Sequence, residues 1–332
     1  MHCLCVRDLT MQFAGLNQSN HGKGVPMKRV LITGASGFVG KHLVRHFLDR
    51  HWQVIGLGTS SEHPDFQESD EFQWVSADTT QPGSWQDQVS KADVIINLAG
   101  RNIFKRWTKT YKQAIYDSRI KTTRHLVDAM VPDKPVHFLS TSAAGIYGDA
   151  GQQELTEDAA LGSDFLAEVC KDWENAALDA EKKGGALVRI MRFGVVLGDG
   201  GALSVMSPAF KWFAGGPLGS GYQWFPWIHI QDLVKAVDFL IHTPDSRGIY
   251  NMVGPEPVRQ RAFAKSLGQA LHRPAVMPAP GFVVKLVMGE LGASLLNSQK
   301  AVPRALVDAG FVFDYPDVPS ALGEIFGNSG GS

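Results

Sequence analysis

The stretch VLITGASGFVG, residues 30–40, constrains this chain more than any other. It opens as a short β-branched apolar run, the pattern of a central parallel strand buried on both faces. Glycines then fall at 34, 37 and 40. From there Phe38, Val39, Leu43, Val44, Phe47 and Leu48 recur at helical spacing, which predicts an amphipathic helix over 38–50. In a strand–turn–helix setting these glycines have distinct duties. Gly34 permits the tight turn, Gly37 lets the backbone approach a pyrophosphate, and Gly40 lets the helix pack closely on the strand. Ser36 sits in the same turn. The helix N-terminus adds free N–H groups and the positive end of its dipole. The stretch reads as a dinucleotide-binding turn.

The rest of the chain extends that reading. Strands are predicted at 52–58, 72–78, 92–100, 136–143 and 186–198, with helices at 108–130 and 163–183 between them. This alternation signals an α/β fold, a doubly wound parallel Rossmann sheet, over 27–198. After residue 198 the chain becomes rich in Gly, Pro and aromatics. GDGGALS and AGGPLGSGYQWFPW read as loops, with short helices at 231–242 and 260–271. Residues 199–278 suit a smaller substrate-binding region, and strands from the C-terminal part can also return to the sheet. The tail, 279–326, reads as mostly helical. Residues 1–26 are polar and aperiodic, and are expected to be a disordered extension, with Met27 opening the fold.

Composition excludes several classes. A net charge of −1 gives no footprint for nucleic acid or an anionic membrane. No apolar run approaches the roughly 18 residues of a membrane span. Three cysteines, Cys3, Cys5 and Cys170, make no disulfide framework, and no His/Cys cluster completes a metal site around the first two. The expectation is a cytoplasmic protein with a small-molecule substrate, no metal, and a homodimer left open.

The end of the second strand bears on which dinucleotide fits. An acidic residue there bonds the ribose hydroxyls of NAD and repels the 2′-phosphate of NADP. Here Gly58 and Thr59 are followed by serines, with no acid before Glu62 and no Arg to pair with a phosphate. NADP(H) is favoured and NAD(H) stays open.

TGASGFVG (33–40) together with NLAG (97–100) resembles the extended, epimerase-like short-chain dehydrogenase/reductase superfamily. KRWT (105–108), SRIKTT (118–123), YGD (147–149), FLAEVCKDWE (165–174), RFGVVLG (192–198), GGPLGSG (215–221) and PWIHIQDL (226–233) narrow the resemblance. They point to the NAD-dependent epimerase/dehydratase-like, SulA-like "epimerase family protein" branch, over about Met27 to Phe326. The resemblance implies a Rossmann fold binding NADP(H) and a helical C-terminal extension. It also implies cofactor contacts at Gly34, Ser36, Gly37, Phe38, Val39 and Gly40, at Gly58 and Thr59, along Leu98, Ala99 and Gly100, and at Arg119 and Leu166. Two positions depart from the branch: Thr59 stands where an Arg is frequent, and Arg101 where a Glu is.

Active members of the superfamily use a Tyr with a Lys four residues later on one helical face, the Lys lowering the phenol's pKa. None of the six tyrosines here has that Lys. In the matching helix Phe165 and Val169 are read into the two places, and Ala143 into that of the usual serine. Substitute proton carriers are Ser142, Tyr147 and His229, each with an ordinary packing role as its alternative. Two functions follow. One is an NADP(H)-dependent epimerase-like oxidoreductase acting on a small, sugar-like molecule. The other is a dinucleotide-binding sensor or regulator without turnover, related to cell division by family analogy alone.

Overall fold

A computed structural model describes residues 28–243, Ser246 and residues 248–327. The expected extension over 1–26, Met27, Cys3 and Cys5 lie outside the described residues.

The chain begins with β1 (Arg29–Thr33), α1 (Phe38–Leu48), β2 (Gln53–Gly58), β3 (Phe72–Ser76) and β4 (Val94–Asn97). It continues through α2 (Lys109–Ala129), β5 (Val136–Ala143), β6 (Glu154–Leu155), α3 (Phe165–Leu178), β7 (Ala186–Phe193) and β8 (Val195–Leu197). Then come α4 (Gly201–Lys211), β9 (Trp224–Phe225), β10 (Trp227–His229), α5 (Ile230–His242) and β11 (Gly248–Met252). The last elements are β12 (Val258–Arg259), α6 (Gln260–Ala270), α7 (Gly281–Met288), α8 (Glu290–Ser294), β13 (Lys300–Ala301), α9 (Arg304–Asp308) and α10 (Val318–Gly327).

Seven parallel strands form one sheet in the order β11-β7-β5-β4-β1-β2-β3. Successive residues of β1 serve opposite layers. Val30 and Ile32 pack with Phe47, Leu233 and Leu240 under α1 and α5, and Leu31 packs with Leu126, Phe138 and Val188 under α2. Both faces are therefore dry, which is what the continuous apolar strands require. β1 sits between β2 and β4, where the strand order reverses, and ligands of such sheets bind outside the strand ends at that point.

Three expectations change. The run predicted as one strand over 186–198 divides at Gly194: β7 stays in the large sheet, while β8 leaves it to pair with β10. A Cβ at 194 would lie 2.9 Å from the Pro226 carbonyl carbon, so only glycine lets the two segments cross so closely. GDGGALS is not wholly a loop. Gly200 and Gly201 take positive φ and launch α4. The helix predicted over 163–183 tightens to 3₁₀ geometry from Asp179. The sheet also reclaims β11 from beyond residue 198, pairing it with β7.

The tail is integrated. β13 pairs with β6, Leu306 of α9 enters the core beneath the sheet, and α10 packs with α6.

Candidate active site

At the carboxyl ends of β1, β4 and β5 lies a cleft of about 390 Å³. Its first wall is the glycine turn. Gly34 has φ +68°, and a Cβ there would meet the Leu98 carbonyl at 3.1 Å. At Gly40 a Cβ would lie 2.7 Å from Ala35 Cα, so α1 approaches the turn more closely than any side chain permits. Gly37 donates its N–H to the Gly34 carbonyl at 2.9 Å. Phe38 and Val39 complete the wall. Beyond it, Gly58 abuts the Trp74 ring and the Ser36 hydroxyl, and Thr59 is exposed at the end of β2. Ser60 is occupied, its hydroxyl donating to the Glu62 carbonyl at 2.7 Å.

A buried polar network holds the strand ends together. The Thr33 hydroxyl donates to Asn97 Oδ1 at 2.8 Å and accepts from the N–H groups of Leu98 and Ala99. Asn97 Nδ2 donates to the Thr123 hydroxyl, which also accepts from Trp173 Nε1 at 2.9 Å. Every member is hydrogen-bonded, so the network stiffens the floor of the cleft. Sequence reasoning passed over Asn97, Thr123 and Trp173; the polar Asn97 ending the apolar run VIIN was the available signal.

Arg119 projects from α2 into the cleft. Its guanidinium donates to the Ile115 carbonyl at 3.0 Å, lies 5.2 Å from the Trp173 ring centre, and forms no ion pair with a described carboxylate. Gly100 makes room for it, since a Cβ there would lie 3.1 Å from Arg119 Cζ. Burial holds its pKa below the ordinary arginine value, yet a guanidinium stays charged in any protein. The cleft therefore contains a desolvated cation with no carboxylate beside it, a setting suited to an anion.

The α3 wall differs from the sequence expectation. Leu166, Val169, Cys170 and Trp173 line the cleft, whereas Phe165 turns aside onto Trp107 at 5.2 Å and lies beneath Lys112. Two pairs four residues apart therefore face the cleft, Leu166 with Cys170 and Val169 with Trp173, and neither carries a phenol or an amine. Burial pushes the Cys170 thiol up to about 11, with Arg119 pulling the other way.

Of the three expected proton carriers, only Ser142 lines the cleft, and its hydroxyl donates to Glu174 Oε1 at 2.7 Å. Glu174 forms a bidentate pair with Arg192 at 2.8 and 2.9 Å, both side chains buried. Tyr147 belongs to the same network rather than to the cleft wall. Its oxygen accepts from Arg192 at 2.9 Å and donates to Asn251 at 2.7 Å, and burial raises its pKa. His229 lies elsewhere, fully buried, with one nitrogen capping α5 at Gln231 and the other 3.1 Å from Glu324. Thr141, unremarked as a carrier, lines the cleft with a buried hydroxyl that has no partner among the described residues. Among the same residues no group of His, Cys, Asp or Glu is arranged to hold a metal ion.

A parallel sheet of this order, with a glycine turn and a cleft at the reversal point, defines a Rossmann fold of the extended short-chain dehydrogenase kind. The family profile described as "NAD dependent epimerase/dehydratase family" matches residues 30–253, and "Domain of unknown function (DUF1731)" matches 279–325. The chain belongs to the NAD dependent epimerase/dehydratase family. It is 39% identical over 300 residues to the Arabidopsis thaliana "Epimerase family protein SDR39U1 homolog, chloroplastic", covering 88% of this chain and 85% of that one. The crystal structure of human epimerase family protein SDR39U1 with NADPH superposes with a TM-score of 0.78 at 30% identity, covering 90% of this chain and 99% of the human one. A UDP-glucuronic acid 4-epimerase from Bacillus cereus, in complex with UDP-glucuronic acid and NAD, shares the fold alone. It superposes with a TM-score of 0.73 at 17% identity, covering 90% of this chain and 98% of that one.

Proposed function

We propose that the cleft binds NADP(H) and that the protein is an epimerase-like oxidoreductase of a small, sugar-like molecule with a non-standard proton carrier. The observation that carries the reading is the facing of the glycine turn by the unpaired Arg119 guanidinium across one cleft. The NADPH in the human relative supports the choice of dinucleotide. Gly34, Ser36, Gly37, Phe38, Val39 and Gly40 would hold the pyrophosphate, with Gly58 and Thr59 at the adenosine ribose. Leu98, Ala99 and Gly100 would run along the cofactor, with Leu166 at the nicotinamide end. Arg119 would supply the charge-assisted bond to an anionic oxygen.

Hydride exchange is the chemistry the bound cofactor supplies. Leu166, Val169 and Trp173 exclude water from that end of the cleft. Thr141 offers the unengaged hydroxyl there, and a buried hydroxyl without a partner is most simply explained by a ligand group that completes it. The second reading, a sensor without turnover, draws on the missing Tyr and Lys pair, since the α3 residues facing the cleft carry neither a phenol nor an amine.

The test is NADPH binding by fluorescence, followed by a cofactor-absorbance screen over carbonyl compounds and nucleotide sugars. Turnover weakened by Thr141→Val supports the oxidoreductase. Binding without turnover across the panel favours the sensor. NAD rather than NADP in the purified protein, identified by mass, overturns the cofactor assignment.

A further inference from the structure

The exposed apolar side chains are concentrated rather than scattered. Among the described residues, nine of the fifteen large exposed hydrophobic ones lie in two short segments, 205–213 and 276–287. They include Trp212 (84% exposed), Leu286 (83%) and Phe282 (74%). The two segments are joined: Met277 N–H donates to the Gly215 carbonyl at 3.1 Å, and the Arg273 guanidinium lies 4.9 Å from the Phe213 ring centre. On α7 only Val284 is buried, so Phe282 and Leu286, one turn apart, present their side chains to solvent. An apolar surface of this extent on a water-soluble fold marks a place where something docks.

Charge says what docks there. Residues 200–231 and 257–289 contain no Asp or Glu, yet carry Lys211, Arg259, Arg261, Lys265, Arg273 and Lys285. The two segments bearing the apolar face are thus cationic in a chain whose net charge is −1. A second copy docking symmetrically would set these cationic segments against themselves, which electrostatics opposes. An anionic bilayer meets both properties at once, with acyl chains for the apolar residues and headgroups for the cations. No described helix is long and apolar enough to cross a membrane, so the contact is with the surface of a bilayer.

We propose that this face docks on an anionic lipid surface. Trp212, Phe282 and Leu286 enter the headgroup boundary, and Lys211, Arg273 and Lys285 meet the phosphates around them. This contact is independent of the cofactor reading, because none of these residues lines the dinucleotide cleft.

The experiment is co-sedimentation of the full chain with phosphatidylcholine vesicles, with and without phosphatidylglycerol. Binding should require phosphatidylglycerol, weaken with salt, and fall at least about tenfold in Phe282→Ser/Leu286→Ser, as expected when inserted apolar area is lost. Arg273→Gln/Lys285→Gln should abolish the preference for anionic vesicles. Both variants alter exposed side chains, so their melting temperatures and NADPH affinities should match the parent's. The proposal is overturned by protein that stays in solution with both vesicle types, or by undiminished binding of the apolar double variant. It is equally overturned by a dimer in light scattering that this variant converts to monomer, which would make the face an interface between copies.

Discussion

The two walls of the cleft are built on different principles. The glycine-turn wall presents backbone beside Phe38 and Val39, and its fit depends on the absence of side chains at Gly34, Gly37 and Gly40. The α3 wall is made of side chains, and Leu166 and Cys170, four residues apart on it, offer neither a phenol nor an amine to the cleft. A backbone-built surface leaves little latitude, because a single Cβ at position 40 collides with the turn. A side-chain wall can change its chemistry while the helix carrying it stays in place. Retained binding frame and altered reactive groups therefore coexist within one cavity.

The comparison breaks most sharply at the buried Glu174–Arg192 pair, which anchors the α3 wall. Glu174→Gln should leave Arg192 with an uncompensated buried charge and cost about 3 kcal/mol or more of unfolding free energy, read by urea denaturation. Glutamine keeps a single oxygen acceptor, which Ser142 and Arg192 would then have to share. At the other wall, Gly40→Ala should leave secondary structure intact by circular dichroism while weakening NADPH binding about a hundredfold, equivalent to about 2.7 kcal/mol in titration. Arg119→Gln removes the charge but keeps a polar side chain, so NADPH affinity should fall about tenfold with little change in stability.

Two smaller effects sharpen the contrast. Thr141→Val removes a hydroxyl that has no partner among the described residues, so the ligand-free melting temperature should hold or rise even as turnover falls. An unchanged rate with an active substrate would remove Thr141 from the chemistry. Burial disfavours the Cys170 thiolate, so fewer thiolates form at a given pH than on an exposed cysteine. In a Cys3→Ser/Cys5→Ser background, the alkylation rate of Cys170 should keep climbing towards pH 11, where an ordinary thiol levels off near 9.

How much of this was legible follows from the same distinction. The glycine turn and the cores of the strands around it could be read because their patterns record backbone constraints. Val136–Ala143 fell where the sequence suggested it. The division at Gly194 could not be read, since RFGVVLG is strand-forming on either side and the crossing depends on Pro226, more than thirty residues away. Which residues of α3 face the cleft could not be read, because Phe165, Leu166 and Val169 are all apolar. Only tertiary contacts show that Phe165 turns towards Trp107 while Leu166 faces the cleft. Tyr147 and Ser142 invited catalytic roles by position near a strand end, but their hydroxyls are committed to Asn251 and Glu174. A whole-chain charge of −1 likewise concealed two long segments without acidic residues.

The contacts of Asn251 have a consequence for synthesis of the chain. This residue, on the edge strand β11, donates its amide to the carbonyls of Leu155 and Val302, while Glu157 accepts N–H groups from Asn251 and Ala305. Polar groups at the junction of the sheet and the Tyr147 network thus await partners encoded some fifty residues later. Domains emerge from the ribosome N-terminus first. The sheet can assemble as its strands appear, but its last edge becomes fully satisfied only when the tail has left the exit tunnel. A nascent chain stalled before Val302 would hold the glycine turn complete and the far edge open, a state recognisable by protease cleavage confined to β11 and the segment around Glu157.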